Sequence, residues 1–267
     1  MGTSSPRGFP YRYRGENVSN PDQEYLIEPI LPARRISLLA GISSAGKSRF
    51  AIPALIMYAA GMPVFGLTSN PVPWCLVCRD RPLADAEDTI RGMGFNREDV
   101  NIIPAFGKYS KPLHEIMAEI DRLKAKLIFW EGLDMMVRNP NNPHEVAEFL
   151  SNLSAYCEEG LTVLGTVGVA KLKPHEMYDN PRQLVAGSSV WERCTSSNFI
   201  IRAINPKDIS DSRRLLYVSL KNAPSFSLEG RFDDSGMLVF DDYEQRHLGA
   251  ILALKVGSKK RKRTNGS

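Results

Sequence analysis

The sequence lacks the marks of a secreted or membrane-spanning chain. Its 267 residues include four cysteines, Cys75, Cys78, Cys157 and Cys194, at spacings that make no disulfide framework. A reducing compartment is therefore expected. No stretch approaches the ~20 apolar residues of a membrane span. The opening Met1-Gly-Thr-Ser-Ser-Pro-Arg7 has no apolar segment of signal-peptide type, so the expected location is cytoplasmic, with no membrane partner. Charge of one sign is scarce too. Basic residues number 34 and acidic ones 30, and much of the +4 balance sits in Lys259-Lys-Arg-Lys-Arg263. The folded body is then close to neutral, and any nucleic-acid contact it makes needs a local basic loop. Cys75-x-x-Cys78 has no second close Cys/His pair to complete a metal site. It lies in the apolar run Trp74–Cys78, where residues three apart face opposite ways, so core packing is expected of it. No internal repeat recurs at a fixed period.

What is present is an alternation of short apolar runs and helical periodicity. Residues 1–24 are rich in Gly, Pro, Ser, Asn and Arg and are expected to be a loose arm. Residues 25–255 are expected to form one domain, and 256–267 a basic tail. Arg35–Ala40 predicts a buried parallel strand, and Lys47–Ala60 a helix closed by Gly61, with Pro53 awkwardly inside it. Strands follow at Trp74–Cys78, Asn101–Pro104, Leu127–Trp130 and Leu161–Val167. The helices between them are Pro82–Met93, Pro112–Lys124 and one capped by Asn142 with Pro143 at its first position. Ser197–Ala203 and Leu215–Leu220 predict two further strands, and 224–242 a hairpin turning at Asp233-Asp-Ser-Gly236. The expected fold is α/β: a mainly parallel sheet with helices on both faces and an antiparallel C-terminal extension.

One motif carries chemistry. Gly41-Ile-Ser-Ser-Ala-Gly-Lys-Ser48 has the form GxxxxGK[ST] and lies between a predicted strand and a predicted helix, the setting a phosphate-binding P-loop requires. Gly41 and Gly46 let the backbone curl, with Ser43, Ser44 and Ala45 presenting N–H groups. The helix start adds partial positive charge near Arg49. Lys47 is the expected partner of the β- and γ-phosphates of ATP, and Ser48 a ligand of Mg2+. Glu131, which ends the apolar run Leu127–Trp130, is the first candidate to hold Mg2+ through water, with Asp134 the second. Asp80 follows the Trp74–Arg79 run at the ligand-binding end of the sheet. It is the candidate base or orienter for the attacking water, against the alternative of a surface pair with Arg79 or Arg81.

Taken in order, these pieces resemble the RecA-fold P-loop ATPases, and within them the RepA-like hexameric replicative helicases of plasmids and phages. The resemblance covers about residues 25–242 and rests on Leu31–Ser48, Ala60–Gly66, Cys78-Arg-Asp-Arg-Pro82 with Ile90–Gly94, the Glu131 strand, and Gly187–Arg193. It implies ATP hydrolysis with Mg2+, a homo-oligomeric ring, and single-stranded DNA in the channel. It implies Lys221 as a cation reaching a neighbouring subunit's γ-phosphate, with Arg138, Lys171, Lys173 and Arg182 on two channel-facing loops. This sequence departs from the usual pattern at several points. Arg79-Asp80 stands where Glu-Asp is usual, Glu131 where Asp is usual, and Ala223 where Arg is frequent; Val167–Lys171 lacks a His. Two functions stay open: an ATP-driven DNA motor, or an ATP-dependent regulator or loader that hydrolyses slowly and works through a protein partner.

Overall fold

Ile36–Ala40 has no polar face to offer water, and the fold buries it at the centre of a sheet. The computed structural model describes residues 23–62, 64, 67, 69–169, 185, 187–205, 208, 210–221 and 225–240. The predicted tail and nearly all of the predicted arm lie outside them. A small antiparallel pair, β1 (Tyr25–Ile27) and β2 (Leu31–Pro32), precedes the main sheet.

The main sheet has nine strands: β3 (Ile36–Ala40), β4 (Trp74–Cys78), β5 (Ile102–Pro104), β6 (Leu127–Glu131), β7 (Thr162–Val167), β8 (Ser197–Ala203), β9 (Arg213–Leu220), β10 (Phe226–Phe232) and β11 (Leu238–Phe240). Their order is β11-β10-β9-β8-β3-β7-β6-β4-β5. From β8 to β5 every pairing is parallel, and β8 to β11 pair antiparallel. The fold is therefore α/β, a mostly parallel sheet with an antiparallel C-terminal extension. Strand β9 begins two residues earlier than its apolar run, because Arg213 still pairs with Arg231 of β10.

The period-two alternation of the strands divides the apolar side chains between two faces. Leu39, Leu76, Phe129, Leu164 and Phe199 pack on one side with Ala51, Ile52, Leu55 and Tyr58 of α1 (Lys47–Ala59) and Ile90 of α2 (Leu83–Gly92). Leu38, Val77, Ile128, Trp130 and Val163 pack on the other. Their partners there are Ile116 and Ile120 of α3 (Leu113–Arg122), Val146, Leu150 and Leu153 of α4 (Pro143–Glu158), and Trp191 of the short α5 (Val190–Arg193).

Helix α1 runs unbroken through Pro53, whose ring is buried. It ends as the glycine signal requires: Gly61 takes φ +70° and Met62 N–H donates to Met57 O at 2.9 Å. At α4, Asn142 accepts from His144 N–H at 3.0 Å, and Glu145 accepts from the Asn142 amide and from Asn139 N–H. No helix among the described residues is long and apolar enough to cross a membrane.

Phe129 is fully buried at mid-strand in the α1-side layer. Phe129→Ala should lower unfolding stability by about 3–5 kcal/mol, read as a drop in urea midpoint at unchanged m-value.

Candidate nucleotide site

The carboxyl ends of β3, β4, β6 and β7 meet at one edge of the sheet, where open α/β folds bind ligands. Between β3 and α1 the loop 41–46 curls tightly, with Ser44 at φ +65° and Gly46 at φ +101°. Two constraints converge on Gly46. Its backbone lies where an L side chain is strained, and a Cβ there would sit 2.3 Å from Phe232 Cζ. No side chain caps the start of α1 and no acid lies in its first turn. The first amide N–H groups of α1 thus remain available to an anion.

Lys47 is half-buried, and its Nζ donates to Gly41 O at 2.8 Å and Ile42 O at 3.2 Å. Burial lowers its pKa against the opposing pull of Asp80, Asp134 and Glu131. An incoming phosphate offers charged acceptors in place of two neutral carbonyls, an exchange that favours binding.

Glu131 is 0% exposed, yet four donors reach its carboxylate. Ser48 Oγ and Arg81 Nη2 (2.7 Å) donate to Oε1; Arg81 Nε (2.9 Å) donates to Oε2, and the single Cys78 S–H is shared between Oε2 (3.6 Å) and Arg81 O (3.4 Å). Strand register accounts for part of this, since Cys78 and Glu131 are paired last residues of β4 and β6. Burial works against the Arg81 charge, but the charge and hydrogen bonds of Glu131 more than offset it and raise its pKa. Burial, with the Glu131 charge second, pushes the Cys78 thiol up to about 12, so it stays a neutral donor. The expectation of plain core packing thus holds for Cys75, which is buried in the α3–α4 layer, and needs correction for Cys78. Its thiol lies at the sheet edge against a carboxylate.

Asp80 lies on the exposed rim, next to Gly132, whose φ of +71° and lack of a Cβ admit the Asp80 backbone. Desolvation, with the Glu131 charge second, raises the Asp80 carboxyl to about 6. The alternative of an Asp80 ion pair is not what the structure contains among the described residues. Arg81 takes Glu131, and Arg79 spends its donors on Met135 O, Ala105 O, Lys111 O and Ser110 Oγ. Asp134 accepts from Gly168 N–H at 2.9 Å and braces the end of β7.

Ser48 and Glu131 are adjacent oxygen donors below the loop, a set that suits a hard divalent cation such as Mg2+. Ser48 would ligate it and Glu131 would hold it through water; bound there, the ion would neutralise phosphate charge.

Other expected site residues lie elsewhere. Arg49 is exposed and its guanidinium lies over the Phe232 ring at 5.7 Å, with Arg214 over the same ring at 4.7 Å. Lys221 is at the opposite end of the sheet. Leu220 pairs with Ser197 at the start of β8, and Lys221 Nζ donates to Arg193 O at 2.7 Å beside a cavity of about 320 Å3 shared with Arg34 and Arg35. Arg138 is exposed and lines an open groove with Arg79, Lys111 and Glu145. Lys171, Lys173 and Arg182 lie outside the described residues. The base of their segment is closed by a Val169–Val185 bridge. It returns to the loop after β6 through Pro140 O, which accepts from Ser188 N–H at 2.9 Å and Trp191 Nε1 at 3.3 Å.

Sequence reasoning missed Arg81, Cys78 and Phe232 as members of this region. For Arg81 and Cys78 a signal existed: both lie within three residues of the end of the strand that carries Asp80. For Phe232 none did, because only the antiparallel pairing of β10 brings it to the loop.

Gly46→Ala should weaken nucleotide binding by about an order of magnitude or more and cost about 1–3 kcal/mol of stability from its positive φ. Adding Phe232→Ala removes the collision and not the strained φ, so recovery should be partial. Titration with a fluorescent adenine nucleotide and denaturant melts check both.

A search of the curated proteins returns no match. A family model described as an AAA domain (AAA_25) matches residues 9–171, more than half of the chain and the whole run from the P-loop through Glu131. The chain therefore belongs to the AAA_25 family of RecA-like P-loop NTPases.

Proposed function

We propose that this P-loop ATPase is a RepA-like motor that binds ATP with Mg2+, assembles as a homo-oligomeric ring, a hexamer, and acts on single-stranded DNA. The observation that carries the reading is the meeting of Lys47, Ser48, Glu131 and Asp80 at one sheet edge, with two loops leaving that same edge. Lys47 and the α1 amides bind phosphate, Ser48 and Glu131 serve Mg2+, and Asp80 orients the attacking water. With a pKa near 6 it is a better proton acceptor than an ordinary aspartate. One is the Arg138 loop; the other is the stretch between Val169 and Val185 that carries Lys171, Lys173 and Arg182, and beyond it Ser188 and Trp191 donate to Pro140 O of the first. Cations on such loops suit the phosphate backbone. Lys221 lies too far from its own P-loop edge to serve it, so its role at the γ-phosphate requires a second copy of the chain.

A second reading, an ATP-dependent regulator or loader with slow turnover, is favoured by one observation. The position that carries the family's usual glutamate holds Arg79, and its guanidinium is bound to carbonyls as a brace.

ATPase rate with and without single-stranded DNA separates the two. The motor requires DNA stimulation in the wild type and a fall of about 100-fold or more in Asp80→Asn, within the range general-base loss produces. A slow rate indifferent to both DNA and the substitution would sink the motor and leave the regulator. Lys47→Ala should abolish nucleotide binding under either reading.

A further inference from the structure

We propose that Arg81 is a positioning residue that occupies the metal-side carboxylate Glu131, so that Mg2+ adds little to adenine-nucleotide binding until Arg81 releases the carboxylate. The inference rests on the nucleotide-site reading above and adds a control on it.

An ionised carboxylate has about four acceptor positions. On Glu131 three are taken by Ser48 Oγ, Arg81 Nη2 and Arg81 Nε, and the Cys78 thiol, which shares its one proton with Arg81 O at 3.4 Å, lies against the fourth. A metal-bound water would have to compete for the position that the thiol covers or displace the guanidinium. Charge points the same way. The guanidinium meets the carboxylate with two N–H groups, at 2.7 and 2.9 Å, and cancels the negative charge that would attract a dication.

Arg81 is not a surface cation in passing contact. Its side chain is 20% exposed. Its third edge is held from behind, with Nη1 donating to Thr89 Oγ1 at 2.7 Å and Thr89 donating in turn to Asp85 O at 2.8 Å. Helix α2 thus presents the guanidinium already aimed at the carboxylate. The Ser48 hydroxyl spends its proton on the same carboxylate and keeps its oxygen lone pairs, so the block falls on Glu131 and not on Ser48.

The constraint is reciprocal. A carboxylate with no exposure must be paired, and stripping Arg81 leaves it seeking another cation. Mg2+ is then the replacement, and its contribution to nucleotide binding should emerge.

The test is the ratio of affinities for a fluorescent ADP analogue in MgCl2 and in EDTA, with full-length protein. The wild-type ratio should stay within about threefold, and Arg81→Ala should raise it about tenfold or more. Arg81→Lys keeps the charge and should return the ratio towards wild type. The double variant Arg81→Ala/Glu131→Gln has no carboxylate to serve and should be flat. MgCl2 alone should raise the melting temperature of Arg81→Ala more than that of the wild type, a response that lost packing does not produce. If Arg81→Ala does not fold, Thr89→Val removes the rear anchor and should move the ratio in the same direction. A wild-type ratio of about a hundredfold, or one that no Arg81 or Thr89 variant changes, overturns the inference while leaving the site intact. Wild-type binding in EDTA that Lys47→Ala does not weaken would instead remove the nucleotide-site reading itself, and this inference with it.

Discussion

Glu131 is a charge placed where water does not reach, and the site is arranged around that fact. A buried carboxylate is costly unless it is paired and its lone pairs are met. The strand that delivers it is buried along its whole length, so compensation has to come from neighbours. Register supplies one of them, Cys78 at the end of β4. The P-loop supplies Ser48, and the turn into α2 supplies Arg81. Three separate chain segments are thereby joined at one carboxylate. The ion pair offsets the desolvation cost, and the Ser48 hydrogen bond ties the phosphate loop to the strand that carries Glu131.

The second constraint is space. Gly46 faces the Phe232 ring, and the guanidinium groups of Arg49 and Arg214 both contact that ring. Arg49 is the third residue of the helix that receives phosphate, Arg214 is on β9, and Phe232 ends β10. The antiparallel extension therefore is not an appendage to the parallel core. It sets one wall of the phosphate loop and explains why a glycine is needed there on two grounds, backbone and side-chain clearance. The same edge is closed on its other side by Asp134, which holds Gly168, and by Thr166, which accepts from Gly132 N–H at 2.8 Å.

The fold was largely legible in the sequence, because its signals are local. Apolar five-residue runs ending at glycine or acid, helices closed by Gly61 and Gly94, and the Asn142–Pro143 cap each predict an element that forms within a residue or two of the expected bounds. The P-loop was legible for the same reason, since its chemistry lies within eight consecutive residues. The rest of the site was not, because it depends on which strands become neighbours. That Arg81 chooses Glu131 over the adjacent Asp80 follows from the β4–β6 register, fifty residues apart in sequence. Cys78 was misread for a related reason: alternation assigns a face to a strand residue and is silent about the open end of the sheet.

Phosphate recognition and metal recognition are separable in this geometry. Lys47 and the α1 amides form one half, whose acceptors in the present structure are the loop's own carbonyls and are readily exchanged. Ser48 and Glu131 form the other, in which a guanidinium already pairs the carboxylate. The first half is poised to bind and the second is held closed. An ATPase whose turnover must await a partner or a nucleic acid needs this asymmetry. Whatever shifts α2, and with it Thr89 and Arg81, acts first on the metal half. The short chain Asp85–Thr89–Arg81–Glu131 thus links the surface of α2 to the carboxylate through three contacts.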